Sequence, residues 1–223
     1  MNKPSSGYVD LQVNGYGGVD FNGDDLSADS LHAACQRLVA DGVAGVLATV
    51  ITDEIDRMAA RLARLATLRS SDSFAQQVIW GFHIEGPFIS NQAGYVGAHP
   101  AQATRPACRD AMQRLLDASE GLTRIVTLAP ERDSQMAVTK WLADQGIVAL
   151  GADTMAVDVD PPEDPAYPRI GHQILLVERG VHLIENMNLE ELARDRVCEF
   201  LFILLAPKLK GGTAFPVQPV AIA

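Results

Sequence analysis

His83-Ile84-Glu85 places an imidazole and a carboxylate two residues apart, at the end of an apolar run that Gly86-Pro87 stops. Two residues apart on a strand means one face of a sheet. In α/β folds, ligand sites gather at the carboxyl ends of strands, so Glu85 stands where a metal or a substrate would be met. A strand-end carboxylate can equally serve to bond a loop backbone. The other histidines are His32, His99, His172 and His182. His32 falls inside an amphipathic stretch and reads as a surface residue. His99 sits in Gly97-Ala98-His99-Pro100, a loop from which a side chain can reach a strand-end site. His172 and Glu185 form a second candidate pair. A hydrolytic metal site needs about three protein ligands and an open water position, and either pair alone falls short. No H-E-x-x-H, G-x-S-x-G, P-loop or G-x-G-x-x-G motif is present. Tyr16-Gly17-Gly18 is too short to cradle a phosphate.

The elements that would position these residues follow from apolar periodicity. Gly7 to Gly15 alternates as a strand, with Gln12 and Asn14 on one face near its carboxyl end. A helix is expected over Ala28 to Asp41, capped by Ser27 or Asp29, with Leu31, Ala34, Cys35, Leu38 and Val39 as its stripe. Val43 to Val50 is an uncharged, buried strand. Asp53 to Arg69 carries Ile55, Met58, Ala59, Leu62, Leu65 and Ala66 at helical spacing, with Arg57, Arg61 and Arg64 on a solvated face. Ser70 to Ser73 reads as a loop, Val78 to Ile84 as a strand and Gly94 to Pro106 as a loop. Helices over Ala107 to Ala118 and Ser134 to Asp144 alternate with strands over Thr123 to Ala129 and Ile147 to Leu150. This β/α order demands parallel strands with crossover helices. It predicts an α/β fold, a partial (β/α) barrel-like parallel sheet, followed by a β-rich C-terminal segment. The boundary is set at residues 150/151. Beyond it comes a Pro- and Asp-rich connector from Asp158 to Pro168, then a short helix near His172, a short strand near His182 and a helical turn near Leu189. Strands follow over Phe200 to Leu205 and Pro216 to Ala223.

With 223 residues and 48% hydrophobic residues, the chain suits one domain or two small ones. Its net charge of -10 speaks against nucleic acid, which would want a basic patch. The three cysteines show no C-x-x-C spacing and read as reduced thiols of a cytoplasmic protein. The N-terminus lacks an apolar signal-peptide core, and the run Phe200 to Ala206 is too short to span a membrane.

Two stretches resemble known families. Asp10-Leu11-Gln12-Val13-Asn14-Gly15-Tyr16-Gly17-Gly18, His83-Ile84-Glu85-Gly86-Pro87-Phe88, Gly97-Ala98-His99-Pro100 and Thr127-Leu128-Ala129-Pro130-Glu131 together resemble the N-acetylglucosamine-6-phosphate deacetylases of the amidohydrolase superfamily, over about residues 7 to 150. The resemblance implies hydrolysis of the acetamide of an amino-sugar phosphate with one divalent metal (Zn, Mn or Fe). Glu85 matches the metal-ligand glutamate. Gln12 and Asn14 match the positions of the His-x-His pair of other amidohydrolases. Ala98 and His99 match a loop that meets the sugar. The family's later metal-binding histidines and catalytic aspartate have no match. After Gly151 the chain reads Ala152-Asp153-Thr154-Met155 instead.

Residues 147 to 223 resemble the end of a cyclase-family metal-dependent hydrolase, the family of kynurenine formamidase. The residues concerned are Gly151 to Asp158, His172 to Leu176, Gly180 to Leu189 and Pro207 to Thr213. That resemblance implies that His172 and Glu185 are late active-site positions, one or both binding metal. The family's His-x-Gly-Thr-His-x-Asp segment is absent, and Thr213-Ala214-Phe215-Pro216 departs from the usual Gly-Ser-Pro. The chain thus looks like a junction of two hydrolase fragments near residues 146 to 152. Three readings stay open: an active hydrolase with a composite site joining Glu85 to His172, His182 or Glu185; a catalytically silent fusion; and a binder of amino-sugar phosphates. Uncovered strand edges predict a homo-oligomer. Neither nucleic acid nor a membrane is an expected partner.

Overall fold

The computed structural model describes residues 7–195, 201–204, 210, 214, 216–217 and 219–222. The chain begins with β1 (Tyr8–Val13), a tight hairpin of β2 (Gly15–Tyr16) and β3 (Val19–Asp20), and α1 (Ala28–Ala40). Next come β4 (Val43–Ile51), α2 (Ile55–Ser71), α3 (Ser73–Val78) and β5 (Ile79–Glu85). After a long loop follow α4 (Arg109–Ala118), β6 (Thr123–Thr127), α5 (Ala137–Asp144) and β7 (Ala149–Gly151). A π-helical turn (His172–Glu178), β8 (His182–Ile184), α6 (Glu190–Asp195), β9 (Leu201–Ile203) and β10 (Val220–Ile222) complete the described elements.

Four strands form one sheet in the order β1-β4-β5-β6, every neighbouring pair parallel. Successive strands in sequence are neighbours in space, as helical crossovers of one hand produce. The register sets Thr49 beside His83, Ile51 beside Glu85, and Glu85 beside Thr127. His83, Glu85 and Thr127 therefore share a face at the carboxyl end. The opposite face carries Val46, Ala48, Val50, Phe82 and Ile84, buried under the helices in the main core. The helix stripes fall where periodicity sets them. On α2 the buried residues are Ile55, Met58, Ala59, Leu62, Leu65 and Ala66. Each fully buried Leu or Met there contributes about 1.5–3 kcal/mol. Ser27 caps α1, accepting from Ser30 N.

The expected loop at Ser70 to Ser73 is instead helical on both sides of Asp72, whose carboxylate accepts from Phe74 N and starts α3. The arginines of α2 are more than a solvated face. Arg61 pairs with Asp53 at 2.9 Å, and Arg64 donates to the carbonyls of Gly23 and Asp24. The helix expected from Ser134 breaks into a 3-10 turn, because Gln135 and Met136 take left-handed backbone (both φ 53°). Buried Asp133 then caps α5, accepting from Val138 N, Thr139 N and Thr139 Oγ1.

The strand expected at Ile147 to Leu150, observed as β7, does not extend the main sheet. β7 pairs with β8, in parallel and in register Leu150 with Leu183. The boundary expected at 150/151 therefore falls within a hydrogen-bonded strand. A small core joins both sides of it, with Met136 and Ala143 buried against Leu175 and Val181. The described residues beyond 151 hold β8, β9 and β10, each three residues long, beside the π-helical turn and α6. The ends of the strand expected at Phe200 to Leu205, residue Ala223 and most of Pro207 to Thr213 lie outside the described residues. No helix among the described residues is long and apolar enough to cross a membrane.

Candidate functional site

The carboxyl end of the parallel sheet holds the first cluster. Glu85 ends β5 and is gripped by its backbone. Its carbonyl accepts from Thr52 Oγ1 at 3.0 Å, and Gly86 N donates to Thr127 O at 3.0 Å. Gly86 takes φ +87°, and a Cβ there would collide with Thr52 Oγ1. Only glycine fits both demands. The carboxylate faces the side of the sheet away from the helices. There Gln12 Nε2 donates to Glu85 Oε1 at 2.8 Å, and His99 Nε2 stands 3.8 Å from the same oxygen.

His99 arrives from the loop after β5, and with Ala98 it lines a cleft of about 520 Å³ that also takes in Glu85, Tyr95 and Thr127. Asn14 lies exposed where β1 gives way to the β2–β3 hairpin. Its carbonyl accepts from Phe21 N at 2.9 Å. Below Glu85, His83 is buried and its Nε2 meets Thr127 Oγ1 at 2.8 Å, while its Nδ1, near the Leu11 backbone, finds no partner of good hydrogen-bond geometry among the described residues. Burial pushes the His83 pKa below its ordinary value, against the opposing pull of Glu85. At neutral pH this burial favours the neutral imidazole of His83.

Three contributors are not among the candidate site residues, although Thr127 stands in the Thr127 to Glu131 stretch of the deacetylase resemblance. Thr52 and Thr127 are ordinary strand-end threonines until the fold brings them to Glu85. Asn22 is buried; its Oδ1 accepts from Ile51 N at 3.0 Å and its Nδ2 donates to Thr49 O at 2.9 Å. It ties the hairpin loop to the end of β4.

The second cluster is separate. His172 Nδ1 lies 2.7 Å from Asp158 Oδ2, and its Nε2 lies 3.2 Å from Glu185 Oε2. Both carboxylates also hold backbone: Asp158 Oδ1 accepts from Gly171 N, and Glu185 Oε1 from Val157 N at 2.7 Å. The expected pair of His172 and Glu185 is thus in contact, with buried Asp158 as an unanticipated third member. The chain between Asp158 and His172 has no regular periodicity, so nothing local announces their meeting. His182, on β8, is exposed.

Among the described residues no three His, Cys, Asp or Glu side chains are placed to hold a metal ion. Glu85 is accordingly not joined to His172 and Glu185. Among the described residues the side chains that reach the Glu85 carboxylate are the His99 imidazole and the Gln12 carboxamide, whose amide hydrogen already occupies Oε1. A catalytic metal asks for three protein ligands. The donor set present does not fit one, and no step through a metal follows from it. What the arrangement can do is bind: a half-open cleft offers a carboxylate, an imidazole and a hydroxyl to a polar ligand.

No family model matches the chain. It is 31% identical over 152 residues to N-acetylglucosamine-6-phosphate deacetylase of Bacillus subtilis (strain 168), which covers 67% of this chain and 37% of that protein. It is 35% identical over 150 residues to the deacetylase of the same name from Bos taurus, covering 65% of this chain and 36% of that protein. Its fold matches a variant of the Mycobacterium smegmatis N-acetyl-D-glucosamine-6-phosphate deacetylase in complex with N-acetyl-D-glucosamine-6-phosphate. The TM-score is 0.55 at 32% identity, over 67% of this chain and 37% of that one. About two thirds of the chain is thus homologous to these deacetylases and shares their fold. The chain spans little more than a third of the length of these relatives. The resemblance of residues 147 to 223 to a cyclase-type hydrolase has no counterpart among them.

Proposed function

We propose that the cleft at Glu85 takes an N-acetylated amino-sugar phosphate, and that hydrolysis of the ligand's carbon–nitrogen bond is the activity to which this site belongs. In this reading Gln12, Asn14, Ala98 and His99 meet the sugar. Glu85 is the position that the deacetylase resemblance assigns to a divalent metal, Zn, Mn or Fe, and the donors now around it do not complete such a site. Turnover requires donors beyond those now around Glu85. His172 and Glu185 are the chain's other candidate ligand pair, and the exposed edge of β1, with Tyr8, Val9 and Leu11, supports assembly into homo-oligomers. The observation that carries the reading is the convergence of Gln12 and His99 on one oxygen of Glu85, in a chain about two thirds of which is homologous to the deacetylases.

A second reading, a silent binder of the same ligand, is favoured because no third metal donor stands beside Glu85 among the described residues. One experiment separates them. Calorimetry with N-acetylglucosamine 6-phosphate is run beside an acetate-release assay with added Zn, Mn or Fe(II). Saturable binding that Glu85→Ala and His99→Ala weaken supports the cleft assignment, and metal-dependent acetate release supports the hydrolase. Binding without acetate under all three metals selects the silent binder. A wild-type protein that gives no binding heat sinks both.

A further inference from the structure

Tyr95 is 76% exposed, yet it lines the cleft that holds Glu85 and His99. The turn that carries it is firmly built. Tyr95 N and Val96 N both donate to Gln92 O, at 3.1 and 3.0 Å, and His99 N donates to Val96 O at 3.2 Å. Gly94 and Gly97 bracket the ring with φ of 92° and 58°. A Cβ on either would meet nothing within 4 Å, so these glycines serve the left-handed backbone of the turn and not packing. The turn thus holds the backbone of Tyr95 beside the cleft and leaves its aromatic side chain largely uncovered. The same turn ends at His99, 3.8 Å from Glu85 Oε1.

The charge of the cleft restricts what holds a ligand there. Glu85 and Glu131 both line it, and the chain carries a net charge of -10. Coulomb attraction therefore does not draw in an anionic ligand. Affinity must come from contacts indifferent to charge. A pyranose has an apolar C–H face and a polar rim. A tyrosine face supplies the apolar complement, and Glu85 and His99 supply partners for the rim.

We propose that Tyr95 is the platform on which the sugar ring of the ligand stacks at the mouth of the Glu85 cleft; this rests on the amino-sugar-phosphate reading of that cleft. The test uses the full chain and N-acetylglucosamine 6-phosphate, read by calorimetry and by proton NMR of the sugar. Stacking shifts the sugar ring protons upfield on binding. Tyr95→Ala is expected to abolish that shift and weaken binding about ten-fold, from the loss of the covered ring face. Tyr95→Phe is expected to keep both. Circular dichroism confirms that each variant is folded, and the side chain's exposure makes misfolding no obstacle. Wild-type binding that Tyr95→Ala leaves unchanged overturns the platform alone. So does a loss in Tyr95→Phe as large as in Tyr95→Ala, which would assign the effect to the hydroxyl. A wild type that binds no amino-sugar phosphate overturns the ligand assignment itself, and the platform with it.

Discussion

Gln12 Nε2 lies 2.8 Å from Glu85 Oε1, joining the carboxyl ends of β1 and β5 across the intervening β4. The contact spans 73 positions in sequence. With Thr52 on the Glu85 carbonyl, it holds the residue at both side chain and backbone.

Loss of that bond has a measurable cost. Gln12→Ala is expected to lower stability by about 0.5–1.5 kcal/mol, the usual net contribution of one hydrogen bond. Glu85→Gln retains an oxygen acceptor and should cost less than Glu85→Ala. Urea midpoints at constant m-value read both. Equal losses in Glu85→Gln and Glu85→Ala would show that the carboxamide contact contributes nothing.

His83 ties stability to pH. Burial lowers its pKa in the folded chain, so the unfolded chain binds the extra proton more readily. Its contribution is complete above the ordinary imidazole value near 6.5 and is lost as pH falls from there toward the lowered folded value. Thermal melts between pH 7.5 and pH 5 should show stability declining. His83→Gln should flatten that part of the profile, and an unchanged slope would assign the acid sensitivity elsewhere.

Gly86 is constrained twice, by a positive φ and by Thr52. Gly86→Ala is expected to lose about 1–3 kcal/mol. Combining it with Thr52→Ala removes the collision but keeps the backbone penalty, so the double variant should be less destabilised than the sum of the two singles. Additive losses in denaturant unfolding would mean that Thr52 moves aside freely.

Cys35 is a buried thiol whose pKa is pushed up to about 12, first by burial and then by the Asp72 carboxylate. Cys108 is exposed. Brief alkylation of the native protein at pH 8, followed by peptide mass analysis, should modify Cys108 and leave Cys35 untouched until denaturant is added. Modification of both at similar rates would show that α1 opens readily.

Local rules made a good part of this molecule legible. The six apolar positions of α2, the uncharged run that became β4 and a cap for α1 at Ser27 or Asp29 could be read directly, because each depends on neighbours within a few residues; the structure selects Ser27. Glu85 was recognisable as a strand-end carboxylate for the same reason. Other features went unread where a short-range side-chain cap or a left-handed residue overrode apolar periodicity. Asp72 turned an expected loop into the start of α3. Asp133 and the left-handed Gln135 and Met136 shortened a helix whose periodicity was continuous.

Element type, strand direction and the place of Glu85 at a strand end are properties of the sequence by itself, since side-chain period and Gly-Pro punctuation act over short range. Which groups meet was decided by tertiary structure alone. β7 pairs with β8 and not with β6; Glu85 meets Gln12 and His99; His172 meets Asp158 and Glu185. Such meetings depend on how the packed helices and strands close long loops. A chain's local pattern holds no record of partners that lie tens of residues away.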